Sequence, residues 1–187
     1  MATIKEVLEE SDVRKKRSVE ALKKELGAIR TGRANPALIE NILVDYYGAS
    51  TPLNQLASIT VPEARLLVVQ PWDRQSLPVV EKAILKNDLG LNPINDGTVL
   101  RLAIPQLTEE RRKELVRLVR KKVEDGRVEV RNIRRSILEK LRALEKDKEI
   151  SQDESKRAQD QLQKMTDLHI AQMDSIAEEK EKEVMEV

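Results

Sequence analysis

From residue 116 onward, one set of positions recurs at intervals of three and four: Val116, Val119, Val123, Gly126, Val130, Ile133, Ile137, Leu141 and Leu144. That near-heptad spacing predicts one long amphipathic helix with a single buried seam. Thr108 stands where an N-cap is needed, with Glu109 and Glu110 beside the positive end of the helix dipole. A helix from 108 to 146 would be about 55–60 Å long at about 1.5 Å per residue. Ser151-Gln-Asp-Glu154 is a capping box and opens another helix. Its seam runs Ala158, Leu162, Met165, His169, Met173 and Ile176, with Val184 further on. The connection at Asp147–Ile150 is short, so the two helices are expected to be antiparallel neighbours. Residues 3–30 give a third helix through Leu8, Val19, Leu22, Leu26 and Ile29, with a polar gap near 11–18. Three helices with one-sided seams predict a three-helix bundle.

Between 31 and 106 the pattern changes. Ile42–Tyr47 followed by Gly48 reads as a strand and turn, and Gln55–Val61 and Ala64–Gln70 read as further strands. Pro78–Asn87 is a short helix carrying Val79, Val80, Ala83 and Ile84, ending near Asp88-Leu-Gly90. Asn95-Asp-Gly97 turns into a last strand, Thr98–Ile104. Composition sharpens the boundary. All 7 prolines, the 2 Tyr and the 1 Trp fall inside this window. Charged residues are 13 of 76 positions inside and 54 of 111 outside. The expected class is α+β: an antiparallel bundle from 1–30 and 107–187, with an inserted small β/α/β sandwich domain at 31–106. The chain then crosses between domains at Thr31-Gly32 and at Pro105-Gln106. Two short crossings permit rotation more readily than translation, so Thr31, Gly32, Pro105 and Gln106 are the expected hinge.

The chemistry excluded is broad. With 0 Cys and 1 His, there is no disulfide framework, thiolate metal site or His-pair site. No phosphate-cradling glycine loop and no nucleophile elbow occurs, so no enzyme and no cofactor is expected. His169 lies on a seam and reads as a packed, partner-bonded histidine. No apolar run is long enough to span a membrane, and the first residues lack an apolar signal core, so a cytoplasmic protein is expected.

Charge adds a positive clue. The whole chain is nearly neutral, with 34 Lys plus Arg against 33 Asp plus Glu. Residues 111–135 nevertheless carry 11 cations and 4 anions, while 149–187 carry 5 and 11. At 3.6 residues per turn, Arg120, Arg127, Arg131, Arg134, Arg135 and Arg142 fall on one stripe, interrupted by Glu124 and Leu138 and turned away from the seam. Arginine suits a bidentate grip on phosphate oxygens. Arg30 and Arg33 add cations at the end of the first helix. The stripe has no aromatic residues, which favours a structured RNA read through its backbone over stacked single strands. Pairing of the stripe with the acidic last helix is the competing explanation, but exposed ion pairs contribute only about 0–1 kcal/mol each.

Six segments in order carry a resemblance: Arg30-Thr-Gly-Arg-Ala-Asn-Pro-Ala-Leu-Ile39; Tyr46-Tyr-Gly48 with Thr51-Pro-Leu-Asn-Gln-Leu-Ala-Ser58; Asp88-Leu-Gly-Leu-Asn-Pro93; Leu107-Thr-Glu-Glu-Arg-Arg-Lys113; Val130-Arg-Asn-Ile-Arg-Arg135; and Lys146-Asp-Lys-Glu-Ile-Ser151. Together they resemble the ribosome recycling factors over nearly the whole chain. The resemblance implies an L-shaped, tRNA-like molecule that acts as a monomer after translation termination. It implies binding to the large ribosomal subunit and its ribosomal RNA, and splitting of the post-termination complex with elongation factor G and GTP. Arg30, Arg131, Arg134 and Arg135 map onto the family's basic contact cluster, which Arg33 and Arg127 extend, and the smaller domain is the part that swings. The alternative is a coiled-coil adaptor that binds protein partners through its helix seams.

Overall fold

In a computed structural model of the chain, residues 2–87 and 89–186 are described. Asp88, at the expected end of the Pro78–Asn87 helix, lies outside them. The chain forms two compact units, Met1–Leu26 with Glu114–Lys182, and Gly27–Lys113 with Glu183–Val187.

The first unit is helical. Its elements are α1 (Ile4–Gly27) and most of α3 (Glu109–Lys146) and α4 (Gln152–Met185). The caps form as the sequence dictates. Arg111 N donates to Thr108 Oγ1 at 3.1 Å. Ser151 N donates to Glu154 Oε2 at 2.8 Å while Glu154 N donates to Ser151 Oγ at 3.1 Å, both halves of a capping box. Between the helices, Glu149 N reaches Leu144 O and Lys148 N reaches Glu145 O, each at 3.0 Å. Lys148 takes φ 56°, so this is a Schellman ending with lysine where glycine is usual.

The core of this unit joins Val7, Ile133, Ile137, Leu141, Ala158 and Leu162. Gly126 lies against Met173 of α4 and Leu22 of α1. A Cβ there would stand 3.3 Å from Met173 Sδ and Cε and 3.6 Å from Leu22 Cδ2. Five seam assignments shift. Leu115, not Val116, is the buried residue at the start of the α3 seam, and Val7 replaces Leu8 on α1. Met165, Ile176 and Leu144 are half-buried, and Thr166 and Ala177 carry the α4 seam beside them. The helix expected over 3–30 ends at Gly27. The polar gap at 11–18 is no gap: Ser11, Lys15 and Ser18 are buried, and Lys15 has no exposed surface.

Among the described residues, the second unit holds six strands. β1 (Leu43–Tyr46) and β2 (Ala49–Pro52) form an antiparallel hairpin. Tyr47 (φ 49°) and Gly48 (φ 84°) occupy the tight turn, and Gly48 N donates to Asp45 Oδ1 at 3.0 Å. β3 (Ala57–Glu63), β4 (Leu66–Pro71), β5 (Pro93–Asn95) and β6 (Leu100–Ala103) make an antiparallel sheet in the order β3-β4-β6-β5. The helix α2 (Leu77–Lys86) packs on it through Leu77, Val80 and Ile84. Leu67 and Val69 on β4 and Leu100 and Leu102 on β6 alternate inward to the same core. The strand expected at Gln55–Val61 starts two residues late, because Leu53–Gln55 is a short 3₁₀ turn. It also runs through Pro62, where the pairing with β4 shifts register between Thr60 and Glu63. The strand expected from Ala64 begins at Leu66.

Candidate nucleic-acid interface

Each helix face is settled by what its neighbours bury. Positions at i, i+3 and i+4 of α3 fill the core, and the arginines lie on the flank facing α4 and on the outside. Arg120 Nε donates to Glu181 Oε1 at 2.9 Å. Arg127 is half-buried and doubly held: its Nε donates to Asp174 Oδ1 at 2.8 Å and its Nη1 to Glu124 Oε2 at 3.0 Å. These carboxylates, Asp174 first, raise the Arg127 pKa above the ordinary arginine value. Arg131 remains largely exposed and comes within 3.5 Å of Glu124 Oε1. Arg134, Arg135 and Arg142 have no ion pair among the described residues; Arg135 and Arg142 are exposed and Arg134 is half-buried. The acidic last helix therefore claims the N-terminal part of the stripe and leaves the C-terminal part open. A flank ending in three uncommitted guanidinium groups presents planar, permanently charged donors to phosphate oxygens.

The residues assigned after the first helix are placed in the second unit. Arg30 is half-buried and its Nη1 donates to Leu89 O at 2.7 Å, while its Nε finds no acceptor among the described residues. Gly90 (φ 65°) permits this approach, since a Cβ there would lie 3.0 Å from Arg30 Nη1. Arg33 is exposed and its Nη1 lies 3.4 Å from Glu186 Oε2. Thr31 is buried. Its hydroxyl donates to Glu183 Oε1 at 3.0 Å and accepts from Arg33 N at 3.2 Å. Gly32 is not among the glycines with positive φ, so its backbone conformation here is one that any residue adopts. Pro105 and Gln106 are exposed.

His169 is buried between two partners, with Nε2 3.1 Å from Asp12 Oδ1 and Nδ1 3.1 Å from Gln172 Oε1. Asp12 is also held by Lys16 at 2.7 Å, and these bonds, that to Lys16 first, lower its pKa. Sequence reasoning missed Lys15. Its ammonium donates to Thr166 Oγ1 at 2.7 Å inside the bundle. The signal available was spacing: Val7, Ser11, Lys15, Ser18, Leu22 and Leu26 continue one seam at intervals of three and four if polarity is ignored. Among the described residues no group of His, Cys, Asp and Glu could hold a metal ion, and no helix is long and apolar enough to cross a membrane.

Comparison with known proteins agrees with this arrangement. The family model described as ribosome recycling factor matches residues 22–185. The ribosome-recycling factor of Syntrophomonas wolfei is 59% identical over 184 residues, covering 98% of this chain and 100% of that protein. That of Heliobacterium modesticaldum is 58% identical over 184 residues, with the same coverage, 98% and 100%. The solution structure of a ribosome recycling factor aligns over 100% of both chains with a TM-score of 0.81 at 45% identity. The T. thermophilus ribosome recycling factor, described with E. coli elongation factor G bound to the E. coli post-termination complex, aligns over 99% of this chain and 100% of its own, with a TM-score of 0.72 at 52% identity. With a family model matching residues 22–185, and relatives of more than half identity over 98% of its length, the chain belongs to the ribosome recycling factor family.

Proposed function

We propose that this chain acts on ribosomes after termination, binding the large subunit through its helical bundle. With elongation factor G and GTP it splits the post-termination complex into subunits and so releases the ribosome from mRNA. The observation that carries this reading is the T. thermophilus relative, 52% identical over 99% of this chain, on a post-termination complex with elongation factor G. The uncommitted Arg134, Arg135 and Arg142 support the RNA grip, with Arg131 beside them. The chain supplies binding and mechanical transmission and no bond-breaking chemistry; nucleotide hydrolysis belongs to the partner.

The test is salt-dependent binding of the full chain to purified large subunits, followed by light-scattering rates of subunit dissociation with elongation factor G and GTP. With roughly four arginines on phosphates, log K falls against log salt with a slope near −3 to −4, at about −0.9 per phosphate. Affinity that is flat in salt, with no partner-dependent splitting, would instead fit a coiled-coil adaptor for proteins.

A further inference from the structure

The polar stretch that interrupts the apolar seam of α1 turns inward. Lys15 has no exposed surface, and its ammonium donates to one neutral acceptor, Thr166 Oγ1 of α4, at 2.7 Å. The Thr166 hydroxyl gives its own proton to Leu162 O at 2.8 Å, so it faces Lys15 only as an acceptor. A protonated amine and a neutral one both donate to such an oxygen. Lys15 therefore keeps this bond in either state, and its titration changes the charge inside the bundle without changing the contact.

Charges reach Lys15 from all three helices. On α1, Asp12 lies one turn earlier; it is held by Lys16 at 2.7 Å and by His169 of α4 at 3.1 Å, and it only partly supports the Lys15 charge. On α3, Arg134 acts on Lys15 with the opposite sign. Arg134 is half-buried and has no ion pair among the described residues. Burial first, and Arg134 second, bring the Lys15 pKa down to about 8. A phosphate oxygen seated on Arg134 cancels the repulsion that Lys15 feels and so favours its charged form. Linkage makes the effect reciprocal: a charged Lys15 favours the phosphate to the same degree.

We propose that Lys15 makes the arginine site pH-sensitive: its buried ammonium strengthens the hold of Arg134 on RNA phosphate when protonated, and withdraws that support when neutral. This control rests on the reading that the bundle binds ribosomal RNA, and it lies inside the bundle, out of reach of the RNA itself. Binding takes up protons near pH 8, and affinity falls as pH rises past that value. Folding stability moves the other way, because the unfolded chain holds the Lys15 proton up to the ordinary 10.5. Opposite slopes for affinity and stability are the mark of a coupled charge; if Lys15 only packed the bundle, the two would rise together. Because Lys15 is buried, salt screens it from Arg134 less than it screens exposed charges.

The test measures large-subunit affinity of the full chain between about pH 7 and 9, beside Lys15→Met and Arg134→Gln. Native affinity should fall about two- to threefold over this range, beyond any change that Lys15→Met also shows. Lys15→Met should bind throughout about as the native chain does at the alkaline end. Arg134→Gln should bind more weakly and lose most of the pH dependence. In the free chain, the ¹³Cε resonance of Lys15 should titrate near pH 8 in the native protein and at higher pH in Arg134→Gln, a shift that needs no ribosome. If Lys15→Met follows the native profile, or if Lys15 titrates alike with and without Arg134, the coupling is overturned and the ribosomal reading stands. Affinity that rises with pH alongside stability assigns Lys15 to packing and also overturns it. If neither the native chain nor Lys15→Met binds large subunits at any pH, the ribosomal reading falls and the coupling with it.

Discussion

At the scale of single residues, the arginines differ by what already holds them. Arg127 is tied to Asp174 and Glu124, so Arg127→Ala should cost up to about 1 kcal/mol of stability, seen as a lower thermal midpoint. Arg134→Glu with Arg135→Glu should behave in the opposite way, reducing large-subunit affinity at least about tenfold without lowering the midpoint. Arg134 depresses the Lys15 pKa, so reversing its charge relieves the buried ammonium instead of straining it. Lys15 also gives the bundle a pH dependence with a definite sign. Its folded pKa of about 8 lies below the ordinary 10.5, so between these values the unfolded chain holds more protons and Lys15 makes stability rise with pH. Lys15→Met should remove that slope and raise stability at pH 7 by up to about 3 kcal/mol, measured by urea unfolding from pH 7 to 10. Thr166 keeps its bond to Leu162 O at 2.8 Å in that variant, so its hydroxyl proton is not stranded. The stripe was legible because arginine spacing alone sets its face. Arg127's commitment was not, because it depends on which α4 carboxylate lies opposite, and one sequence does not align two helices. Lys15 was hidden for the converse reason: hydrophobic periodicity cannot flag a buried polar residue.

At the scale of elements, what could be read was whatever is encoded locally. Both N-caps of the long helices sit where Thr108 and Ser151 place them, since each bond joins residues three apart. β2 and β5 could not be read. They have 4 and 3 residues, and the pairing of Ala49–Pro52 with Leu43–Tyr46 and of Pro93–Asn95 with Leu100–Leu102 defines them more than their own composition does. The turn between α3 and α4 gives two predictions of opposite sign within three residues. Lys148 holds a left-handed conformation that favours glycine, so Lys148→Gly should stabilise by about 0.5–1 kcal/mol. Ser151→Ala removes the acceptor for Glu154 N and should cost about 1 kcal/mol. Thermal midpoints of the two variants and their combination check both signs, and additivity checks that the cap and the helix ending act independently.

At the scale of the whole molecule, the question to test is whether bending at the expected hinge segments, 31–32 and 105–106, which both fall within the second compact unit, is separable from binding. The three-helix core of Val7, Ile133, Ile137, Leu141, Ala158 and Leu162 draws on no residue between 31 and 106. A chain joining residue 30 to 107 through a short glycine linker should therefore still melt cooperatively by circular dichroism. It should keep salt-dependent affinity for large subunits and lose splitting. The sharper test is Gly32. In this conformation its φ is ordinary, and among the described residues a Cβ would meet only Leu107, at 3.9 Å from Cγ and 4.0 Å from N. Nothing static requires glycine there, so Gly32→Ala and Gly32→Val should fold with unchanged or slightly raised stability, by up to about 1 kcal/mol from the stiffer unfolded chain. A β-branched residue still narrows the backbone range that a hinge must sweep. If the expected hinge at 31–32 bends during splitting, Gly32→Val should slow dissociation with elongation factor G and GTP several-fold, while subunit affinity stays within about threefold. Gly32→Ala should fall between it and the native chain. Equal loss of affinity and splitting would mean that Gly32 serves close approach to RNA. Full activity in Gly32→Val would move the bend to the other expected hinge segment, the exposed Pro105-Gln106, where proline already fixes one φ and the neighbouring Gln106 is left to absorb the change.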